Sequence, residues 1–320
     1  MKTENKLIKT CCLIITFMMA GTAANAAGGI LGDVNHDGTI TMSDANVVVN
    51  YYLATAKPND FDKRAGDVNN DGDITMSDAN QIVNMFLSGA EPKVLSDPNG
   101  HEYVDLGLSV KWATCNIGAG SPIDRGAYFA WGETEQKYDY TTDTYEWCDG
   151  SVNALTKYNT SKYYGIVDNK TTLEPGDDAA VVHWGGSWRM PTRAEMRALC
   201  DSCYWEWTME YTIHSMYGYI VYKAKSKDDM GVKKTKTNNA QTKNIYTLSD
   251  PHIFLPITGF YKGTLIKQSN SDGYGQYWSS TLGNTLPYYA YRLSFSSTSG
   301  GSGNTDYDRR QGRCVRAVLP

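Results

Sequence analysis

Two segments of near-identical sequence, Asp33 to Leu53 (DVNHDGTITMSDANVVVNYYL) and Asp67 to Leu87 (DVNNDGDITMSDANQIVNMFL), begin 34 residues apart and read as one folding unit. In each copy, oxygen-bearing side chains recur at alternate positions of a loop with glycine at its sixth position. A carboxylate closes the loop at its twelfth, the spacing that wraps a 12-residue loop around a hard cation. The candidate ligands are Asp33, Asn35, Asp37, Thr39, Thr41 and Asp44 around Gly38, then Asp67, Asn69, Asp71, Asp73, Thr75 and Asp78 around Gly72. Residue 7 of such a loop needs only its backbone carbonyl, so Thr39 and Asp73 differ at little cost. Surface turns also collect Asp, Asn and Gly, but turn chemistry alone does not fill every ligand position twice. The pattern predicts two bound calcium ions.

Each loop runs into an apolar-periodic stretch. Val47, Val48 and Leu53 in the first copy, and Ile82, Val83, Phe86 and Leu87 in the second, predict the buried faces of two helices. Ile40 and Ile74 are expected to meet between the loops as a short strand contact. A duplicated loop and helix without a full preceding helix, with aspartate rather than glutamate at position 12, resembles the type I dockerin. In that family a cohesin partner reads loop positions 10 and 11, here Met42, Ser43 and Met76, Ser77. These depart from the paired small hydroxyls common there, so a structural calcium module is the first reading and a cohesin-like partner the alternative.

Lys2, Lys6 and Lys9 precede an apolar run from Cys11 to Ala20, and Ala24-Asn25-Ala26 offers a small-x-small cleavage site. Residues 1–26 therefore read as a secretory signal, which implies a secreted protein that is extracellular, at the cell surface or periplasmic. No later stretch is long and apolar enough to predict a transmembrane segment in the mature chain. Losing Lys2, Lys6, Lys9 and Glu4 would take the net charge from −5 to −7. Lys233, Lys234 and Lys236 read as a solvated loop, and no nucleic-acid partner is expected. Five cysteines would remain, Cys115, Cys148, Cys200, Cys203 and Cys314, too few for a scaffold held by disulfides.

Four units follow from these boundaries: the signal at 1–26, the calcium-binding unit at 27–88, a Gly- and Pro-containing linker at 89–100, and a larger domain at 101–320. Val110 to Ala113, Tyr219 to Tyr222 and Tyr291 to Phe295 predict strands. Residues 191–200 predict a helix, with Thr192 as N-cap and Glu195 as its capping-box partner. The segments EYVDLGLSVKWATCNIGA (102–119), GAYFAWGE (126–133), WGGSWRMPTRAEMRALC (184–200), FLPITGFYKG (254–263), YWSST (277–281) and GRCVRAV (312–318) occur in that order. Together they resemble the FISUMP-type major paralogous domain, which belongs with the formylglycine-generating-enzyme branch of the C-type lectin fold. The resemblance implies an α+β protein: a small α-helical dockerin-like unit, then a mixed, mostly antiparallel C-type-lectin-like domain whose first and last strands lie together. It also places Cys115 and Cys314 on neighbouring strands, within reach of a disulfide.

Three functions compete for the large domain. The oxidase of that branch holds copper between two cysteines; Cys314 looks like one, but the other position is Arg309, and one thiolate does not make the linear site that Cu(I) prefers. No other catalytic set stands out, and no enzyme is expected. A calcium-dependent lectin would need an amide where Glu174-Pro175-Gly176 has none, and Trp205, Trp207 and Trp278 read as core before sugar platforms. The third reading takes the alternation at Tyr288 to Ser296, with Tyr291, Leu293 and Phe295 inward, followed by a Ser-, Gly-, Tyr- and Arg-rich loop at 297–310. Tyr288, Tyr289, Arg292, Ser294, Ser296, Asn304, Asp306, Tyr307 and Arg309 would form the ligand surface. This placement resembles the C-terminal variable region of retroelement-diversified receptors. The expected function is recognition of a protein or glycan ligand without catalysis. The alternative is an accessory component of extracellular polysaccharide degradation, recruited through the dockerin-like unit.

Overall fold

The computed structural model describes residues 31–36, 40–55, 57, 61–87, 95–212, 216–238, 240, 242–267 and 273–320. The expected signal at 1–26, the loop residues Asp37 and Thr39, and residues 89–94 of the expected linker lie outside them. What is described is a mixed α+β protein.

The duplicated segments form helices α1 (Met42–Leu53) and α3 (Met76–Leu87), with the single turn α2 (Lys63–Gly66) between them. Each long helix starts the same way. Thr41 accepts from Ser43 N at 3.1 Å while the Asp44 carboxylate accepts from Thr41 N at 2.9 Å, closing a capping box. Thr75 and Asp78 repeat the arrangement at 3.1 and 2.9 Å. The residues that end each loop thus also begin each helix.

The helices bury equivalent positions of the two copies: Val34 with Val68, Ala45 with Ala79, and Val48 with Ile82. The buried stripe of α1 runs Ala45, Val48, Tyr51 and not, as the periodicity suggested, to Leu53, which is 68% exposed. Tyr51 takes that place because its ring stacks on Phe61 at 3.9 Å. Phe86 is likewise exposed. Ile40 and Ile74 pack against this core but are not assigned to a strand.

The larger domain runs β1 (Leu95–Ser96), β2 (Glu102–Val104), β3 (Lys111–Asn116), α4 (Ala179–Trp184), α5 (Arg193–Ser202), β4 (Cys203–Thr208), β5 (Gly218–Lys223) and β6 (Lys233–Lys234). It continues through β7 (His252–Pro256), β8 (Phe260–Lys262), β9 (Leu265–Lys267), β10 (Tyr274–Leu282), β11 (Tyr289–Ser296), β12 (Ser299–Asp308) and β13 (Arg316–Leu319). The sheets are ordered β1-β2-β3-β13, β6-β4-β5-β7, β10-β11-β12 and β8-β9, and every strand pair but β4–β6 is antiparallel. The last strand lies beside β3, so both ends of the domain share one sheet. Leu95 pairs with Tyr103, which brings that sheet into the segment read as a linker.

The predicted helix is present as α5, and its Thr192–Glu195 box is reinforced by a two-pronged ion pair from Arg189 to Glu195 at 2.6 and 2.8 Å. Two expectations fail. Lys233 and Lys234 form β6 beside β4, with Lys234 bonded to Glu206 at 2.6 Å. The expected loop at 297–310 is largely β12, a ten-residue strand. Its glycines answer to close packing: a Cβ at Gly301 would lie 2.5 Å from the Trp205 ring, and one at Gly303 3.0 Å from the backbone of α5.

Candidate functional site

In the second loop the Asp67 carboxylate accepts from Asp71 N and Gly72 N at 3.2 and 3.0 Å, and the Asn69 side chain bridges to Asp71. Asp78 reaches across the loop to Asn69 N at 3.4 Å as well as to Thr75 N. In the first loop Asp44 makes the same reach, to Asn35 N at 3.1 Å and to Thr41 N. Asp44 and Asp78 are fully buried, and each ties the start of its loop to its end. His36 and Asn70, at position 4 of the two loops, share the left-handed backbone that a tight loop reversal requires.

The described donors, Asp33, Asn35, Thr41 and Asp44 in one loop and the full set in the other, are oxygen throughout, the chemistry suited to a hard cation. Among the described residues no three carboxylate, imidazole or thiol groups gather as a metal centre by themselves. That follows from a loop in which carboxylates alternate with amide, hydroxyl and carbonyl donors. Met42 and Met76, at position 10 of each loop, are 43% and 40% exposed, and Ser43 and Ser77 beside them are exposed too.

The nine residues expected to recognise a ligand divide. Arg309 does not belong to a surface: it is 0% exposed, and its guanidinium donates to the carbonyls of Tyr158, Lys157 and Pro287 at 2.8, 2.8 and 3.0 Å. It pins two chain segments that sequence reading had no means of bringing together. Cross-strand partners share a sheet face, so Arg292 and its partner Thr305 project one way, while Tyr291 and its partner Asp306 project the other. Asn304 goes with Asp306, accepting from Arg193 Nη2 at 3.4 Å, and Arg193 itself lies 4.0 Å over the Tyr291 ring.

The Arg292 side of the sheet keeps Arg292, Ser294 and Tyr307 together, while Tyr289, at the start of β11 and on the Tyr291 face by register, brings its ring against that of Tyr307. The Arg292 guanidinium is 4.8 Å from the centre of the Tyr307 ring, which stacks nearly parallel to Tyr289. Tyr288 sits at the margin, edge-on to Tyr289 and tilted against Tyr164. Ser296 lies two residues beyond Ser294 on the same strand and is half-buried. Arg313 was missed by sequence reading. It is fully buried 5.4 Å from the same Tyr307 ring and 4.2 Å from Trp278. Nothing in the run Gly312-Arg313-Cys314 distinguishes it from an exposed arginine.

The cysteines offer little reactive chemistry. All five described ones are unbridged, so the expected link between Cys115 and Cys314 is not made. Burial pushes the thiols of Cys200, Cys203 and Cys314 up to about 12, well away from the thiolate form. A polar cleft of about 200 Å³ is lined by Glu133, Lys137, Thr144 and Glu146, but Glu133 is engaged by Lys137 at 2.7 Å and by Glu146 N at 2.8 Å.

The described residues thus hold a pair of loop-and-helix units, each loop closed by a buried carboxylate. Residues 31–87 match the type I dockerin domain. Residues 230–318 match a domain of unknown function, DUF8237, which spans the strands from β6 to β13. No curated protein and no solved structure matches the chain. No helix among the described residues is long and apolar enough to cross a membrane.

Proposed function

We propose that this is an extracellular component recruited through its dockerin unit to a cohesin-type partner, carrying a C-terminal domain that recognises a ligand without catalysing a reaction. The observation that carries it is the match at residues 31–87, which coincides with the paired loops and with exposed Met42, Ser43, Met76 and Ser77 at the two recognition positions. Exposed methionines adapt to a partner surface, and their burial would supply the apolar centre of an interface. Two calcium ions, one in each loop, would hold the helices in the geometry a partner reads. The C-type-lectin relationship of the larger domain belongs to the same proposal, supported by the pairing of β3, near its start, with its last strand, β13.

The test is binding of the full chain to a panel of recombinant cohesin modules with calcium and with a chelator. Calcium-dependent capture that is lost when Met42 and Met76 are both changed to Asp supports the proposal. Absence of capture by every module, or capture indifferent to both methionines, contradicts it.

A further inference from the structure

Most buried guanidiniums in this protein are well provided with acceptors. Arg309 and Arg316 each reach three, as does Arg313 through Gln276 Oε1, Gln311 Oε1 and the Asp308 carbonyl. Arg189 and Arg310 have carboxylates. Arg292 differs. Its Nε is buried with no hydrogen-bond partner, as is that of Arg309, but its one other contact is Nη1 to Ser294 Oγ at 3.5 Å, and it makes no ion pair with any described residue. Burial pulls its pKa down to about 10, so it remains a cation at neutral pH.

The charge beside it deepens the deficit. Arg313 lies against the same Tyr307 ring, and its acceptors are all neutral. Two guanidiniums therefore share one aromatic ring without a bonded carboxylate. The Asp306 carboxylate attracts Arg292 through space but is not bonded to it; a partly desolvated cation without a bonded anion is costly, and an arriving anion would relieve that cost. The fork of a guanidinium fits a planar carboxylate two-pronged, which an ammonium group does not.

We propose that Arg292 is the centre of a recognition site for the carboxylate of an acidic sugar, a uronate unit of a polysaccharide. This rests on the reading of the C-terminal domain as a ligand-recognition domain. Two features favour a sugar over a peptide terminus. Tyr307 is 43% exposed, so part of an aromatic side chain is open to solvent beside the cation. Ser294, its cross-strand partner Ser302, and Thr305 share the Arg292 face, and a hydroxyl both donates and accepts as a sugar's own hydroxyls require.

The experiment titrates the full chain with trimers of galacturonate, glucuronate and mannuronate, each as the sodium salt and as the methyl ester, which keeps the ring and removes the charge. At least one acid form should bind about tenfold tighter than its ester, as a charge-assisted hydrogen-bond pair implies. Arg292→Gln should erase that difference while leaving the thermal midpoint unchanged. Equal binding of acid and ester overturns the carboxylate assignment; if Tyr307→Ala then weakens both forms, the face survives as a ligand surface. No binding by any trimer overturns the assignment, and cohesin capture by the same sample shows whether the docking reading stands apart from it. Binding of an acetylated tripeptide through Arg292, with no acid trimer bound, overturns the choice of a sugar.

Discussion

Arg309→Ala should destabilise the larger domain by about 3–5 kcal/mol, the range for removing one member of a buried polar network. The substitution strands the carbonyls of Tyr158, Lys157 and Pro287, which Arg309 satisfies at 2.8, 2.8 and 3.0 Å. A buried acceptor left without a donor costs about 1–3 kcal/mol, and three of them set the upper part of the range. Relief of a desolvated cation that has no carboxylate partner among the described residues, and whose Nε is itself unbonded, works in the opposite direction and keeps the total below that sum. Arg292→Ala is the comparison, since its guanidinium has a single weak bond; it should stay within about 1 kcal/mol. Urea unfolding followed by tryptophan fluorescence suits the question, because Arg309 lies 5.7 Å over the Trp131 ring. Arg309→Ala within about 1 kcal/mol of the parent, or Arg292→Ala the more damaging of the two, would refute the structural role assigned to Arg309.

Gly301→Ala should cost about 1–3 kcal/mol by overpacking, because the new Cβ meets the buried Trp205 ring at 2.5 Å; differential scanning calorimetry showing an unchanged midpoint would contradict this. His252 is buried as the neutral ring, donating from Nδ1 to the Asp250 carbonyl at 2.7 Å and accepting from Tyr211 OH at 2.9 Å, and burial holds its pKa below the usual 6.5. The unfolded chain takes up a proton that the fold refuses, so stability is full above about pH 6.5 and declines as pH falls from there towards the depressed folded value. His252→Gln should flatten that decline between about pH 7 and pH 5, and an unaltered profile would show that another group controls it.

What the sequence shows and what it hides follow from the range of the interactions concerned. The calcium loops, the Thr192–Glu195 cap and the inward set Tyr291, Leu293 and Phe295 are local patterns, legible because their partners lie a few residues away. The capping role of Thr41 with Asp44 and of Thr75 with Asp78 was equally local and could have been read from the repeated Thr-x-x-Asp. β12 was not legible because Ser-Gly-Gly-Ser-Gly carries loop composition, and the reason for its glycines, Trp205, is remote in sequence. Arg309 shares that problem, since the carbonyls that hold it inward come from Lys157, Tyr158 and Pro287. The division of the ligand surface likewise depended on strand register, which composition does not fix.

The most direct test of the central proposal is a calcium titration of the full chain by isothermal calorimetry, beside the double variant Asp37→Ala with Asp71→Ala. Each substitution removes the fifth-position carboxylate of one loop. The parent should bind two calcium ions and the double variant none, with cohesin capture lost in parallel. A parent that binds no calcium, or a double variant that binds it as tightly as the parent, would contradict the reading of residues 31–87 as a calcium-organised docking unit.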